Sequence, residues 1–177
     1  MTYQLTWLAD VLRKADLKVI EEAGWKDRGH GNLIRPVYVV CHHTASNPGK
    51  TYPSGDILVN GRSDLKGPLA QLGLSRDGTY YVIAAGLAYH AGASAYGGYK
   101  GLNKYAIGIE AENNGLGEPW PEVQLDAYAR GCAALLSHIK KGVDHCIGHK
   151  ECCVPPGRKI DPSFDMKEFR KRVAGHL

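Results

Sequence analysis

The segment VYVVCHHTAS, residues 37–46, decides the fold class that we expect for this chain. Its first five residues form a continuous apolar run rich in valine, which is typical of a buried strand in a parallel or mixed sheet. His42 and His43 follow this predicted strand directly. Because α/β folds place functional sites at the carboxyl ends of strands and side chains alternate in direction, we expect one histidine to face a site. A purely structural role for the pair is the alternative.

Further helices and strands are predicted on both sides of this strand. Apolar residues at three- and four-residue spacing indicate helices, and an Asp-Gly pair between two apolar runs indicates a hairpin. Strands interleaved with helices indicate one α/β (α+β) domain with a mixed central sheet flanked by helices. The predicted elements are a helix at 6–15, loops at 21–32 and 44–66, hairpin strands at 69–74 and 79–84, a strand at 106–112, and helices at 121–140 and 165–174.

Composition and charge exclude several classes of protein. The chain has 177 residues, which fits one domain, and its 22 basic and 18 acidic residues give a net charge of +4. That charge is too small to indicate nucleic-acid binding, and no apolar run approaches the ~20 residues that span a bilayer. The N-terminal stretch lacks the pattern of a signal peptide. Five cysteines, two of them adjacent, do not suggest a disulfide framework and agree with synthesis in a reducing cytoplasm.

A second group of reactive side chains lies in GHKECCVPPGRKIDP, residues 148–162. One histidine from this segment, one from the pair at 42–43 and a carboxylate would form a catalytic zinc site with three protein ligands and a fourth position for water. Spacing alone leaves open a site in which Cys152 or Cys153 is the third ligand instead. The segment's other candidate side chains are His149, Lys159 and Asp161.

A zinc hydrolase also needs a proton acceptor and a donor for the developing oxyanion. In AIGIEAE, residues 106–112, the two glutamates would share one face of the strand, and Glu110 is the candidate base. Lys159 is the candidate oxyanion stabiliser. A surface carboxylate on a half-exposed strand is the alternative for Glu110, and a packed aromatic turn is the alternative for Tyr89 and His90. We expect structural or solvent-exposed positions for the remaining histidines, His30, His138, His145 and His176.

Four motifs in order give the chain a resemblance to a known family. They are VCHHTAS at 40–46, LSRDGTYYVIAAGLAYHAG at 74–92, NKYAIGIEAEN at 103–113 and GHKE…PPGRKIDP at 148–162. The chain resembles the type 2 N-acetylmuramoyl-L-alanine amidases, zinc enzymes that share the peptidoglycan-recognition-protein fold. The N-terminal helix, GWKDRGHGN and IEAENNGLGEPW are most similar to endolysins of phages that infect actinobacteria. We expect one domain over 1–177, with an N-terminal extension at 1–36 and the amidase core at 37–174.

The resemblance implies a role for individual residues. His42, His149 and Asp161 would be the zinc ligands, so Cys152 and Cys153 fall outside the ligand pattern. Relatives with a cysteine ligand often carry a catalytic tyrosine at the position of Ala70, whereas relatives with an aspartate ligand use the glutamate that is Glu110 here. The missing tyrosine and the aspartate ligand therefore point to the same branch of the family. In that branch Glu110 and Lys159 would be catalytic. The groove that binds substrate would be lined by His43, Tyr89, His90 and Asn103.

The activity implied by the resemblance is hydrolysis of the amide bond between N-acetylmuramic acid and L-alanine in peptidoglycan, with Zn²⁺ as cofactor. A peptidoglycan-binding module without hydrolysis and another zinc hydrolase, such as a carboxypeptidase or deacetylase, are the alternatives. We expect a monomer without nucleic-acid partners or membrane insertion. The expected route is synthesis in the host cytoplasm and release to the cell wall by a holin during phage lysis.

Overall fold

A six-stranded mixed sheet forms the centre of the chain in a computed structural model that describes residues 3–177. The strands are β1 (Val19–Glu21), β2 (Tyr38–His43), β3 (Gly61–Arg62), β4 (Leu65–Lys66), β5 (Leu72–Leu74), β6 (Tyr80–Val82), β7 (Ala95–Tyr96), β8 (Tyr99–Lys100), β9 (Ala106–Ala111) and β10 (Cys146–Gly148). The helices are α1 (Leu8–Lys14), α2 (Gly55–Asn60), α3 (Glu122–His138), α4 (His149–Cys152) and α5 (Met166–Ala174). The predicted α/β class with a mixed sheet is confirmed.

The strand order β1-β6-β5-β9-β2-β10 places β9 and β2 in the interior of the sheet. Within the six-stranded sheet of the described residues, β5 and β6 form an antiparallel hairpin, as the Asp-Gly turn predicts, and the other neighbouring strands run parallel. β1 belongs to this sheet, so residues 3–36 of the predicted N-terminal extension share the core of the domain. None of the helices within residues 3–177 is both long and apolar enough to cross a lipid bilayer.

The two faces of the sheet have different roles. Residues at odd positions of β2 and β9, such as Val39 and Ile109, pack with α1, α3 and α5 in the main core. The apolar stripe of α3 predicted from the sequence lies on this face, and its Tyr128 is fully buried. Asp165 caps α5 by accepting hydrogen bonds from the backbone N–H groups of Lys167 and Glu168. The opposite face therefore carries the even-numbered side chains, among them His42 and Glu110.

Three predictions of secondary structure are wrong. β2 continues through His42 and His43, because both residues pair with β9 instead of leaving the sheet. The predicted loop at 44–66 contains α2 and the β3–β4 hairpin, since Leu58 gains a buried position against Leu69 and its neighbours. The predicted loop at 21–32 contains the end of β1 and a 3₁₀ turn that buries Trp25.

Candidate metal centre

The strand register places the predicted site residues in one row across the sheet. His42 on β2 pairs with Glu110 on β9, Glu110 pairs with Gly73 on β5, and Gly73 pairs with Tyr81 on β6. Paired residues on neighbouring strands project their side chains to the same face. His149 follows β10 directly at the next position of this row. Glu110 therefore lies on a central strand, and the alternative of a half-exposed surface strand is excluded.

Three ligand atoms converge at one end of this row. His42 Nδ1 lies 3.0 Å from His149 Nδ1 and 3.0 Å from Asp161 Oδ2, and His149 Nδ1 lies 3.1 Å from Asp161 Oδ2. The three residues are buried, with exposed fractions of 1%, 3% and 7%. Two imidazole nitrogens and one carboxylate oxygen at this spacing match the donor set that zinc takes in hydrolases. The three side chains that the resemblance selects could thus bind one metal ion.

The hydrogen bonds behind the two histidines leave both Nδ1 atoms free to bind a metal. His149 Nε2 lies 3.2 Å from the carbonyl oxygen of Ala91, which can only accept, so Nε2 carries the proton. His90 Nε2 likewise faces the carbonyl oxygen of Ala106 at 3.3 Å, and His90 Nδ1 then accepts from His42 Nε2 at 3.0 Å. Such partners fix the tautomer and the ring orientation of histidine ligands.

His90 and His43 occupy positions that do not fit the predicted substrate groove. His90 is buried, with an exposed fraction of 6%, because it packs over Gly108 and beneath His42. His43 faces away from the three ligands, and its Nδ1 accepts a hydrogen bond from the backbone N–H of Ser163 at 3.2 Å. The pair at 42–43 thus divides as strand alternation predicts, with one histidine at the site. For His90 the structure indicates a role in orienting His42.

The other two residues predicted in the groove differ in accessibility. Tyr89 is 40% exposed and stacks on His30 with ring centroids 3.7 Å apart. Asn103 accepts hydrogen bonds from the backbone N–H groups of His90 and Ala91 through Oδ1. Tyr89 is therefore available to a ligand, while Asn103 holds the turn that carries His90.

Glu110 stands beside the ligand atoms and Lys159 stands in solvent. Glu110 Oε1 lies 3.7 Å from His42 Nδ1, and its side chain is 16% exposed. Lys159 is exposed on the segment between α4 and α5. Burial raises the pKa of Glu110 well above its usual range, Asp161 adds to this, and the charge of Lys159 opposes it. A carboxylate with a raised pKa in such a cleft has the properties of a general base or acid.

Burial and pairing also move the pKa values of two of the ligand side chains, His42 and Asp161. Burial lowers the pKa of His42 to about 4, although its hydrogen bond to Asp161 opposes the change. Burial acts to raise the pKa of Asp161, but hydrogen bonds to His149 and His42 outweigh it and hold that pKa below its usual value. Neutral histidines and an ionised carboxylate are the forms that bind a metal ion.

Glu112 is a residue that sequence reasoning placed beside Glu110 without a role. It is fully buried, and its carboxylate accepts hydrogen bonds from the backbone N–H and the hydroxyl of Ser54 and from the hydroxyls of Thr44 and Ser46. Arg76 Nη1 lies 3.7 Å from it. Glu112 thereby holds the segment 44–54 against the end of β9. The serine and threonine residues of that segment indicate from the sequence that hydrogen-bond donors are available there. That Glu112 is their common acceptor depends on the fold.

The cysteines lie apart from the three ligands. The Sγ atoms of Cys152 and Cys153 face the backbone carbonyl oxygens of His149 and Lys150, so neither is the third ligand. Cys41, Cys132 and Cys146 form a second buried group on the opposite face of the sheet. Cys41 Sγ lies 3.8 Å from Cys132 Sγ and 3.7 Å from Cys146 Sγ. These are ordinary contact distances for sulfur in a packed core, where cysteine behaves as a small apolar residue.

Comparison with known proteins gives concordant matches. The sequence profile of the N-acetylmuramoyl-L-alanine amidase family matches residues 32–164. The 1,6-anhydro-N-acetylmuramyl-L-alanine amidase AmpD of Salmonella typhimurium is 31% identical over 156 residues, which are 79% of this chain and 82% of the relative. A crystal structure of a Se-Met AmpD derivative has a TM-score of 0.68 at 25% identity and covers 98% of this chain and 99% of that chain.

An endolysin is also similar in structure. The endolysin N-acetylmuramoyl-L-alanine amidase LysCS from Clostridium intestinale has a TM-score of 0.66 at 20% identity. The match covers 88% of this chain and 95% of that chain, and at this identity it shows the fold alone.

Proposed function

The chain belongs to the N-acetylmuramoyl-L-alanine amidase family, and from this membership we propose a zinc-dependent amidase that cleaves the bond between N-acetylmuramic acid and L-alanine in peptidoglycan. The observation that carries the proposal is the convergence of two histidine nitrogens and one carboxylate oxygen beside Glu110. A binding module needs no such set of ligands next to a base. The same arrangement disfavours the alternative of a module without hydrolysis.

The proposed roles follow from the positions of the side chains. His42, His149 and Asp161 would hold the zinc ion, which when bound supplies Lewis-acid polarisation of the amide carbonyl. Glu110 would accept a proton from the attacking water and return it to the leaving nitrogen of L-alanine, since its raised pKa suits both transfers. Lys159 would bring a positive charge to the developing oxyanion from the solvent side.

Two substrates of different size fit this chemistry. Tyr89, beside His90, is 40% exposed and Ile160, beside Asp161, is 62% exposed, and side chains this accessible next to the site favour a polymer that approaches from solvent. The identity with AmpD favours a soluble 1,6-anhydro-muropeptide. We propose the wall polymer as the substrate, in keeping with the endolysin-like motifs, and the soluble muropeptide as the second candidate. Release from a host cytoplasm to the wall during phage lysis stays a prediction that belongs to the first candidate.

The test combines zinc content with product analysis for wild type, Glu110→Gln and His149→Ala. We expect stoichiometric zinc and new L-alanine amines from wild type. Glu110→Gln should keep zinc and lose at least about 100-fold in turnover, because general acid–base catalysis supplies factors of that order. His149→Ala should lose zinc and turnover together.

Each other outcome of this test rejects a specific part of the proposal. Zinc without alanine release from wild type would indicate a binding module, and new diaminopimelate or D-alanine ends would indicate a peptidase. Near-normal turnover of Glu110→Gln would reject the role of Glu110. Parallel assays on intact sacculi and on purified 1,6-anhydro-muropeptide decide between the two substrates by their kcat/KM ratio.

A further inference from the structure

The row of paired residues that carries His42 and Glu110 has a position without a side chain at Gly73. A β-carbon added at Gly73 would lie 2.2 Å from the hydroxyl oxygen of Tyr52 and 2.8 Å from two of its ring carbons. The Tyr52 side chain therefore occupies the space that a side chain at position 73 would fill. Since Gly73 pairs with Glu110, the phenol lies beside Glu110 on the face that carries the candidate metal centre.

The ring of Tyr52 is held firmly in this place. It stacks on Tyr81, which is the next member of the row, with ring centroids 3.7 Å apart and an angle of 11° between the planes. Its other edge packs against Gly55 at the start of α2. Ser54, the neighbour two positions along the chain, is bound through its N–H and hydroxyl to Glu112. Contacts of the ring with Tyr81 and Gly55 thus fix the position of the Tyr52 hydroxyl.

Two polar groups on this face of the sheet, the Tyr52 hydroxyl and the Glu110 carboxylate, lack hydrogen-bond partners within the described residues. The Tyr52 hydroxyl is buried and has no partner within the described residues 3–177. In the same part of the chain the Glu110 carboxylate accepts no hydrogen bond, and its Oε1 lies 3.7 Å from His42 Nδ1. A buried hydroxyl without a partner is unfavourable and rare in folded proteins. This hydroxyl lies over Gly73, the strand partner of Glu110, which is where a hydrogen-bond donor to the Glu110 carboxylate would be needed.

Building on the proposed function, we infer that Tyr52 is a positioning residue whose hydroxyl donates a hydrogen bond to the Glu110 carboxylate during turnover. Such a bond would turn the base toward the attacking water and stabilise its ionised form. The phenol keeps its proton for this purpose, because burial raises the pKa of Tyr52 well above its usual value and the charges of Glu22, Glu112 and Glu110 add to this. This role of Tyr52 also requires glycine at position 73, since any side chain there would displace the ring.

The decisive variant is Tyr52→Phe, which keeps the stacked ring and removes only the hydroxyl. We expect kcat to fall about tenfold or more, the range for a lost hydrogen bond to a charged group, with KM within twofold of wild type. The melting temperature should stay equal or rise, because the lost hydroxyl has no partner to leave unsatisfied. Tyr81→Phe is the matched control, since it removes a hydroxyl from the stacking partner, and it should retain wild-type kcat.

A double variant tests whether Tyr52 acts through Glu110. Tyr52→Phe should have no further effect on the residual turnover of Glu110→Gln, and Gly73→Ala should reduce kcat as Tyr52→Phe does. A wild-type kcat for Tyr52→Phe would overturn the inference, and an equal loss in the Glu110→Gln background would overturn action through Glu110. Wild-type protein that releases no alanine would reject the proposed function and this inference together. If the wild type is active, the result for Tyr52→Phe tests the inference alone.

Discussion

Replacing Glu112 by alanine should destabilise the protein far more than replacing an exposed glutamate. Glu112 is 0% exposed and receives four hydrogen bonds from the segment 44–54. Two of the donors, the N–H and the hydroxyl of Ser54, are themselves buried and would lose their partner. The variant Glu112→Ala therefore isolates the contribution of one buried carboxylate that holds the segment 44–54 against β9.

The magnitude follows from those two donors. Each buried donor left unsatisfied costs roughly 1–3 kcal/mol, while Arg76 keeps its hydrogen bonds to Glu118 and adds little to the loss. We therefore expect a loss of about 4 kcal/mol in the free energy of unfolding. For a chain of this length that corresponds to a fall of roughly 8–16 °C in melting temperature. The hydroxyls of Thr44 and Ser46 can turn to water and should add little.

Urea and thermal unfolding of chelator-treated protein measure this difference without a contribution from bound metal. Glu122→Ala is the control, because the Glu122 side chain is 72% exposed and pairs with Arg172 at the surface. Exposed pairs of this kind contribute at most about 1 kcal/mol. Equal shifts for Glu112→Ala and Glu122→Ala would refute the reasoning that burial of the donors sets the effect.

Two further results are expected. Asp161→Asn should weaken zinc binding by at least about 100-fold in a chelator competition, because loss of a ligand exceeds the effect of losing a ligand's partner, and the exposed Asp144→Asn should bind zinc like wild type. The zinc-free protein should lose stability as pH falls from 6.5 to 4. The pKa of His42 is about 4 in the fold against about 6.5 unfolded, so the unfolded chain binds the extra proton in that window, with an effect up to about 3 kcal/mol. A urea midpoint that is the same at pH 7 and pH 5 would contradict this.

The sheet could be predicted from the sequence because its patterns are local. The apolar run at 37–41, the Asp-Gly turn and the stripe of α3 each specify an element from adjacent residues, and the structure contains all three. The segment 44–66 could not be predicted in the same way. Its helix α2 is only six residues long and depends on packing of Leu58 against residues that flank β5 and β6, such as Leu69 and Ile83. Short helices of this kind are stabilised by tertiary contacts and not by propensity.

The site divides in a similar manner. The motifs selected His42, His149 and Asp161, and the structure brings their ligand atoms to about 3 Å from one another. His43 and His90 show the limit of motif reasoning, because adjacency in a motif does not fix the direction of a side chain. The hydrogen bond from His42 to His90 joins residues 48 positions apart. No local pattern encodes that distance.

The sequence by itself determined the fold class, the family resemblance and the types of residue available for chemistry, because hydrophobic period and short motifs are properties of neighbouring residues. Only the tertiary structure decided which groups share a face and which lack partners. Strand register aligned Tyr81, Gly73, Glu110 and His42 in one row, and it is the packing across that row that placed the Tyr52 hydroxyl beside Glu110. Register depends on pairing between distant strands, and a slip by one residue would turn every one of these side chains to the opposite face.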